Sequence, residues 1–373
     1  MEDASNTPKF YLDRSRYGEA LLQWFNDSHS GHKNVAIGEI DIPVATGFSN
    51  ETVFFNISSD TEEGKYEGRY VARIEPNDGG MFPVQTPECE ISVALQQRVM
   101  TSVQSASDVP LPLIGRLQPN TYLGLPFFVM THVDGKVPSD RPRYTEEGFV
   151  VDEATDSQRT QMVQTGLEAM AAIHQINWEA ADLHWLNPCD GKPTQAKQIE
   201  IYRNYVHKEL SGRKHPVMDY ALDWLTDNDP NDERIGLSWG DARLGNIIWQ
   251  DYKPAAVVDW EACALSPTEA DLGWWLMFDR MSFDDVGVER LSGYPTREDQ
   301  VAYYEGVFGK EVRDPHYWEV FAAMRFCAIF IRLGDRLTNI GLFQPEMNPA
   351  VGNMVTQSLA TLLEIDNPTP SLI

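Results

Sequence analysis

The chain has 373 residues, 42% of them hydrophobic, 11% aromatic and 23% charged. That balance excludes a disordered, collagen-like or low-complexity chain, and the length fits two domains or one large two-lobed unit. With 30 Lys and Arg against 56 Asp and Glu, the formal net charge is −26 and no run of basic residues is present, so neither nucleic acid nor a membrane surface is an expected partner.

The four cysteines, Cys89, Cys189, Cys263 and Cys327, form no Cys-x-x-Cys pair. They read as reduced thiols in a cytoplasmic protein, not as a disulfide framework or zinc site. The first residues are polar and acidic, and the longest apolar stretch, Phe326–Ile331, is six residues long. Neither a secretory leader nor a membrane span is expected from that pattern.

Taken in chain order, residues 1–133 open with a helix and continue in short β-branched and aromatic runs: Thr52–Ile57, Tyr70–Ile74 and Phe127–Val133. Gly, Pro and Asn break these runs, as between the strands of an antiparallel sheet. One helix interrupts them from about Glu88 to Val103, where Ile91, Leu95 and Val99 recur every fourth residue and form a single apolar stripe. From 134 to 373 the periodicity is helical, over Asp156–Asn177, Thr194–Leu210, Met218–Leu225, Thr268–Phe278, Arg297–Phe308, Pro315–Thr338 and Val351–Ile365. The fold class is therefore α+β, a small antiparallel-sheet lobe followed by a larger, mainly helical one. Val137–Asp156 is polar and Pro-rich and reads as a surface excursion.

An island of different texture, Gly236–Trp260, lies among the helices. Two β-like pieces, Asn246–Gln250 and Ala255–Asp259, are joined there by a polar turn. It carries Trp239-Gly240-Asp241-Ala242-Arg243-Leu244-Gly245-Asn246 and, after the second piece, Asp259-Trp260-Glu261. Asn246 and Asp259 are hard-oxygen donors of the kind that hold Mg²⁺ while water and substrate phosphates fill its other positions. Asp241 could take a proton from a hydroxyl nucleophile, and Arg243 could reach a phosphoryl group in transfer.

This pattern, Gly-Asp-x-x-x-x-Asn followed by Asp-Trp-Glu, resembles the aminoglycoside phosphotransferase and choline kinase-like family, whose fold is that of the protein kinases. The likeness runs from about residue 35 to 340 and comes nearest the acyl-CoA-dehydrogenase-associated branch, which tolerates Arg in place of the strand Lys. It implies a two-lobed kinase-like fold, with residues 1–133 as the nucleotide-binding lobe and 134–373 carrying the catalytic loop and acceptor site. It also implies transfer of the γ-phosphoryl of Mg-ATP to a hydroxyl of a small molecule by a monomer or homodimer. Under it, Asp241 is the catalytic base, Arg243 a second catalytic residue, and Asn246 and Asp259 are the metal ligands. Arg73 contacts the non-transferred phosphates, Glu90 orients Arg73, and Gly47, Phe48, Ser49 and Asn50 form the phosphate-covering turn. The segment holding Met130, Thr131 and Val133 is the hinge, and the backbone at Thr131 and Val133 reads the adenine edge.

Trp239 stands where the family usually has His. No segment ending in Ala-Pro-Glu follows Asp259, which favours a small-molecule acceptor over a protein. Family members act on aminoglycosides, macrolides, choline, homoserine, sugars or hydroxyacyl thioesters, so the acceptor stays open. A nucleotide-binding scaffold without activity is the alternative. Several residues have plainer readings. His174 reads as a hydrogen-bonded core histidine and Asp271 as a structural acid binding loop amides. Trp274, Trp275 and Trp318 read as core, and Asp279, Asp284 and Asp285 as a solvated face. Glu261 either assists the metal or packs.

Overall fold

The computed structural model describes residues 13–43, 50–76, 78–231 and 234–369. Helix α1 (Tyr17–Ser28) precedes a four-stranded antiparallel sheet in the order β1 (Lys33–Ile37), β2 (Glu51–Thr61), β3 (Gly64–Ile74) and β4 (Phe127–Thr131). Strands β2 and β3 pair without a break from Glu51 opposite Ile74 to Thr61 opposite Gly64. Because side chains alternate across a strand, each strand serves two cores. Val53, Phe55, Ile57, Ala72, Ile74, Phe127 and Val129 join Leu21, Trp24 and Phe25 of α1. Phe128 turns the other way, into the core shared with α2 (Ser92–Ala106) and the helical lobe. Thr52 and Arg73, Cα partners in the β2–β3 ladder, fall on that second face by the same alternation.

Helix α2 has no side-chain cap at its own N-terminus. Glu75, just past β3, supplies one: its carboxylate accepts from the amides of Ser92 at 3.1 Å and Val93 at 2.8 Å. Burial still raises the Glu75 carboxyl above its ordinary value, against those two bonds.

The rest is mainly helical: α3 (Phe149–Asp152), α4 (Asp156–His174), α5 (Gln195–Leu210), α6 (Pro216–Asp227), α7 (Glu269–Ser282), α8 (Arg297–Phe308), α9 (Pro315–Asn339) and α10 (Met354–Leu362). Set among them are the ribbon of β5 (Ile235–Ser238) with β8 (Ala264–Pro267) and the hairpin of β6 (Ile247–Gln250) with β7 (Lys253–Val257). Helices α7 and α9 approach so closely that a β-carbon at Gly273 would fall on the Trp318 carbonyl. The result is the two-lobed, kinase-like α+β fold expected from the sequence. Among the described residues, no helix is long and apolar enough to cross a membrane.

Two parts differ from the sequence reading. Strands β1, β5 and β8 are additional. The 137–156 segment is largely exposed but anchored, since it buries Tyr144, Thr145 and Val150, and the Thr145 hydroxyl donates to the Ser282 carbonyl on α7 at 3.1 Å.

His215 caps α6 through Nδ1, which accepts from the Met218 amide at 3.2 Å. Burial drives its pKa down to about 4. Between pH 6.5 and 4 the unfolded chain takes up a proton here that the folded chain refuses, so stability falls as the pH falls, by about 3 kcal/mol at most. His215→Asn keeps a cap acceptor and should flatten that part of the stability–pH curve in denaturant titrations at pH 7 and pH 4.5. An unchanged slope would exclude His215 as its source.

Candidate active site

The site is built on one buried carboxylate. Asp271, in the first turn of α7, accepts from the Ser238 hydroxyl at 2.7 Å and from the amides of Trp239 at 2.6 Å and Gly240 at 2.8 Å. It also accepts from His174 Nε2 at 2.9 Å, and the other ring nitrogen of His174 meets the Tyr304 hydroxyl at 2.6 Å. Burial would raise the Asp271 carboxyl, but the bonds and charge of His174, followed by Ser238 and the Gly240 amide, outweigh it and hold the group below its ordinary value. Both plain readings are therefore observed: His174 is a bonded core histidine and Asp271 an acid that binds loop amides.

The chain then turns sharply at Gly240, with φ +92° and no room for a β-carbon, which would fall on the Ala262 carbonyl. Arg325 of α9, 4% exposed, donates to the Gly240 carbonyl at 2.8 Å. Asp241 follows directly. Its Oδ1 accepts from the Trp274 indole N–H at 2.7 Å and from Arg243 Nε at 3.2 Å. Burial pushes the Asp241 carboxyl up, Arg243 opposes this, and the charge of Asp259 adds to it; the net direction is upward. Arg243 Nη1 spans both oxygens of Asp140, at 2.8 and 2.9 Å.

Asn246 closes the 3₁₀ turn Leu244–Asn246 and is 4% exposed. Its Nδ2 donates to the Asp241 carbonyl at 3.0 Å, and its own carbonyl accepts from the Val258 amide at 3.0 Å. That second bond sets the loop beside the strand leading to Asp259, which is left-handed at φ +63°. The Asp259 carboxylate meets Arg73 Nη2 at 3.2 Å, and Arg73 Nη1 donates to the Thr52 hydroxyl at 2.6 Å. The Trp239 indole N–H donates to the Val258 carbonyl at 3.0 Å, so the residue in the usual His position also braces the loop.

The structure thus joins Asp241 to Arg243, Asp241 to Asn246, and Arg73 to Asp259. Two expectations need correction. Glu90 does not orient Arg73: it is exposed on the turn before α2, whose buried face holds Val93, Gln96 and Met100, and α2 itself contains no Asp or Glu. Asn50 covers no phosphate with its side chain. It is 0% exposed, with its amide spent on Ser92 Oγ at 3.0 Å and on the Glu261 carboxylate at 2.8 Å. The Thr131 amide donates to the Leu113 carbonyl at 3.0 Å, so any contact of its backbone with a base would be through its carbonyl.

Gly47, Phe48 and Ser49 lie outside the described residues. Met130, the last but one residue of β4, is half-buried, and the Val133 amide has no partner among the described residues. Sequence reasoning missed Trp274 as a contact of Asp241, along with Thr52, Asp140 and Arg325. A signal existed for Trp274, because it lies three residues after Asp271 and so shares its helix face.

A sequence profile of the phosphotransferase enzyme family matches residues 42–304. The chain belongs to this family. It is 26% identical over 222 residues to the mouse acyl-CoA dehydrogenase family member 10, a match covering 56% of this chain and 19% of that protein. The chain thus spans about a fifth of this longer relative. Solved structures share the fold. A candidate aminoglycoside phosphotransferase of Ralstonia eutropha superposes with a TM-score of 0.66 at 21% identity, covering 94% of this chain and 99% of that one. The macrolide 2′-phosphotransferase MphH of Brachybacterium faecium gives 0.54 at 15% identity, with 94% and 99% covered. A thermostable mutant of the aminoglycoside phosphotransferase APH(4)-Ia, in ternary complex with ADP and hygromycin B, gives 0.55 at 12%, with 94% and 98% covered.

Removing the anchor should unseat the loop. Asp271→Ala strands four buried donors, and a loss of about 3–5 kcal/mol is expected. Asp271→Asn keeps one acceptor oxygen and should lose less. Equilibrium unfolding in urea checks both, and an Asp271→Ala midpoint equal to wild type would contradict the anchoring role.

Proposed function

We propose that the chain transfers the γ-phosphoryl group of Mg-ATP to a hydroxyl of a small molecule. The observation that carries this reading is the bonded set of Asp241 and Asn246 on one loop, Asp259 on its neighbour and Arg73 on β3. Asn246 Oδ1 and the Asp259 carboxylate are hard oxygen donors, the donor chemistry of magnesium, and would hold the ion. When bound, magnesium neutralises phosphate charge and polarises the transferring group.

Arg73, steadied by Thr52 and Asp259, clamps the non-transferred phosphates. No helix acid supports it, so the Thr52 hydroxyl and Asp259 do the orienting. Val133 offers its free amide to the base. Asp241 accepts the acceptor's hydroxyl proton as that oxygen bonds to the γ-phosphorus. The bond from phosphorus to the β–γ bridging oxygen breaks, and its electron pair leaves with ADP. Atoms and charge balance as ATP plus alcohol giving ADP, phosphate monoester and a proton. Trp274 fixes the Asp241 carboxylate through Oδ1, and Arg243 offsets charge on the moving group.

Asp241→Asn should cut transfer by about 10²–10⁴-fold while leaving Mg-ATP affinity within about twofold. Wild-type turnover in that variant would sink the assignment of the base. An Mg-ATP-binding wild type with no transfer to any alcohol would fit the scaffold alternative. A milder variant, Trp274→Phe, keeps the ring but removes the N–H, and should lower kcat about tenfold with little change in the KM for ATP. A change confined to KM would contradict its role in positioning Asp241.

A further inference from the structure

Beside Asp241 and Arg243 a cavity of about 540 Å³ opens between the 139–146 segment and helices α7, α9 and α10. Its volume suits a drug-sized occupant. Its helical wall is apolar, with Trp274, Phe278, Phe326, Ile329, Phe330 and Met354. Neighbouring ring centroids lie 5.6 Å apart for Trp274–Phe278, 5.3 Å for Phe278–Phe326 and 5.8 Å for Phe326–Phe330, so the aromatic surface is continuous.

The charges of the lining are balanced in a chain of net −26. Asp140, Asp241 and Glu146 face Arg141, Arg143 and Arg243. Each carboxylate is already engaged: Asp140 by Arg243 at 2.8 Å, Glu146 by Arg143 at 3.4 Å, and Asp241 by Trp274 and Arg243. The acids behind this wall are engaged as well. Asp279, expected on a solvated face, is buried and held by Arg290 at 2.6 and 3.0 Å and by Gln300 at 2.9 Å. Asp284 meets Arg297 at 3.7 Å, and Asp285 accepts from Ser358 at 2.5 Å.

An ammonium group entering here would meet carboxylates that already carry arginine partners. Nor does the wall form an aromatic cage for a quaternary ammonium. Two of its ring faces hold cations of the protein itself, Arg325 at 4.7 Å from the Trp274 centroid and Arg243 at 5.1 Å from that of Phe278.

Resting on the phosphotransferase reading above, we propose that the acceptor is an alcohol with an apolar body, a ring system or hydrocarbon chain, and no positive charge. Its hydroxyl lies at Asp241 and its body along the α7–α9 aromatic wall. Burial of apolar surface binds it, and the balanced rim excludes polycations. The transfer itself follows the bond changes given above.

The test is equilibrium titration of the Asp241→Asn variant, which cannot consume its ligands, with Mg-ATP, 16-hydroxyhexadecanoic acid, a hydroxysteroid, kanamycin and choline, alongside ADP release by wild type with the same four alcohols. At least one of the two apolar alcohols should bind and be phosphorylated, and kanamycin and choline should do neither. Adding Phe326→Asp, or Phe278→Ser as a second variant, should weaken the apolar ligand at least tenfold with Mg-ATP affinity unchanged. Intact Mg-ATP binding with kanamycin or choline preferred, or with neither apolar alcohol bound, overturns the acceptor class and leaves the phosphotransferase reading standing. Absence of Mg-ATP binding overturns both.

Discussion

A single buried carboxylate sets the geometry on which the rest depends. Asp271 is 0% exposed and still accepts from four donors on three different parts of the chain: α4, the end of β5 and the loop after it. Burying a charge is tolerable only when it is fully bonded, and here the bonds also fix a conformation. Two consecutive amides, those of Trp239 and Gly240, must point at the same carboxylate, which forces the tight turn at Gly240 and delivers Asp241 to the cavity mouth. Trp274, one turn further along α7, then reaches Asp241 from the same helix face. One helix thereby holds both the loop backbone and the side chain that the loop presents.

The second organising contact crosses between the sheet and the helical lobe. Arg73 leaves β3 on the face opposite α1 and meets Asp259. Nearby, Asn50 at the start of β2 links Ser92 of α2 to Glu261, two residues past Asp259. Strand, helix and loop are thus joined at two points, Arg73 to Asp259 and Asn50 to Glu261. This ties the orientation of α2 to that of the Asp259 loop without any acid on α2. Glu261, read from the sequence as either assisting the metal or packing, accepts here from the Asn50 amide.

Much of this was legible in the sequence because it is local. Asp241 and Asn246 are five residues apart on one loop, and the hairpin returns Asp259 beside them, so spacing alone implied their meeting. Arg73 was placed by the likeness of its strand, Tyr70–Ile74, to that of the family. The errors came where the partner is remote. The start of α2 was misplaced because residues 87–89 form a 3₁₀ turn and the helix is capped by Glu75, 17 residues upstream, which put Glu90 outside the helix. Asn50 was assigned to phosphate because nothing nearby reveals its partner Glu261, 211 residues further on. The 137–156 segment looked like a loop because its polar residues conceal the few side chains it buries, one of which bonds to α7.

If Asp259 and Asn246 hold magnesium and Arg73 the nucleotide phosphates beside Asp241, ATP binding must depend on the ion and on Asp259. Calorimetric titration of ATP into wild type and Asp259→Asn, each with and without magnesium, tests it most directly. The account predicts magnesium-dependent ATP binding by wild type, weakened at least tenfold in Asp259→Asn, with both proteins unfolding in the same cooperative manner. Binding that ignores magnesium, or equal affinity in the two proteins, would contradict it.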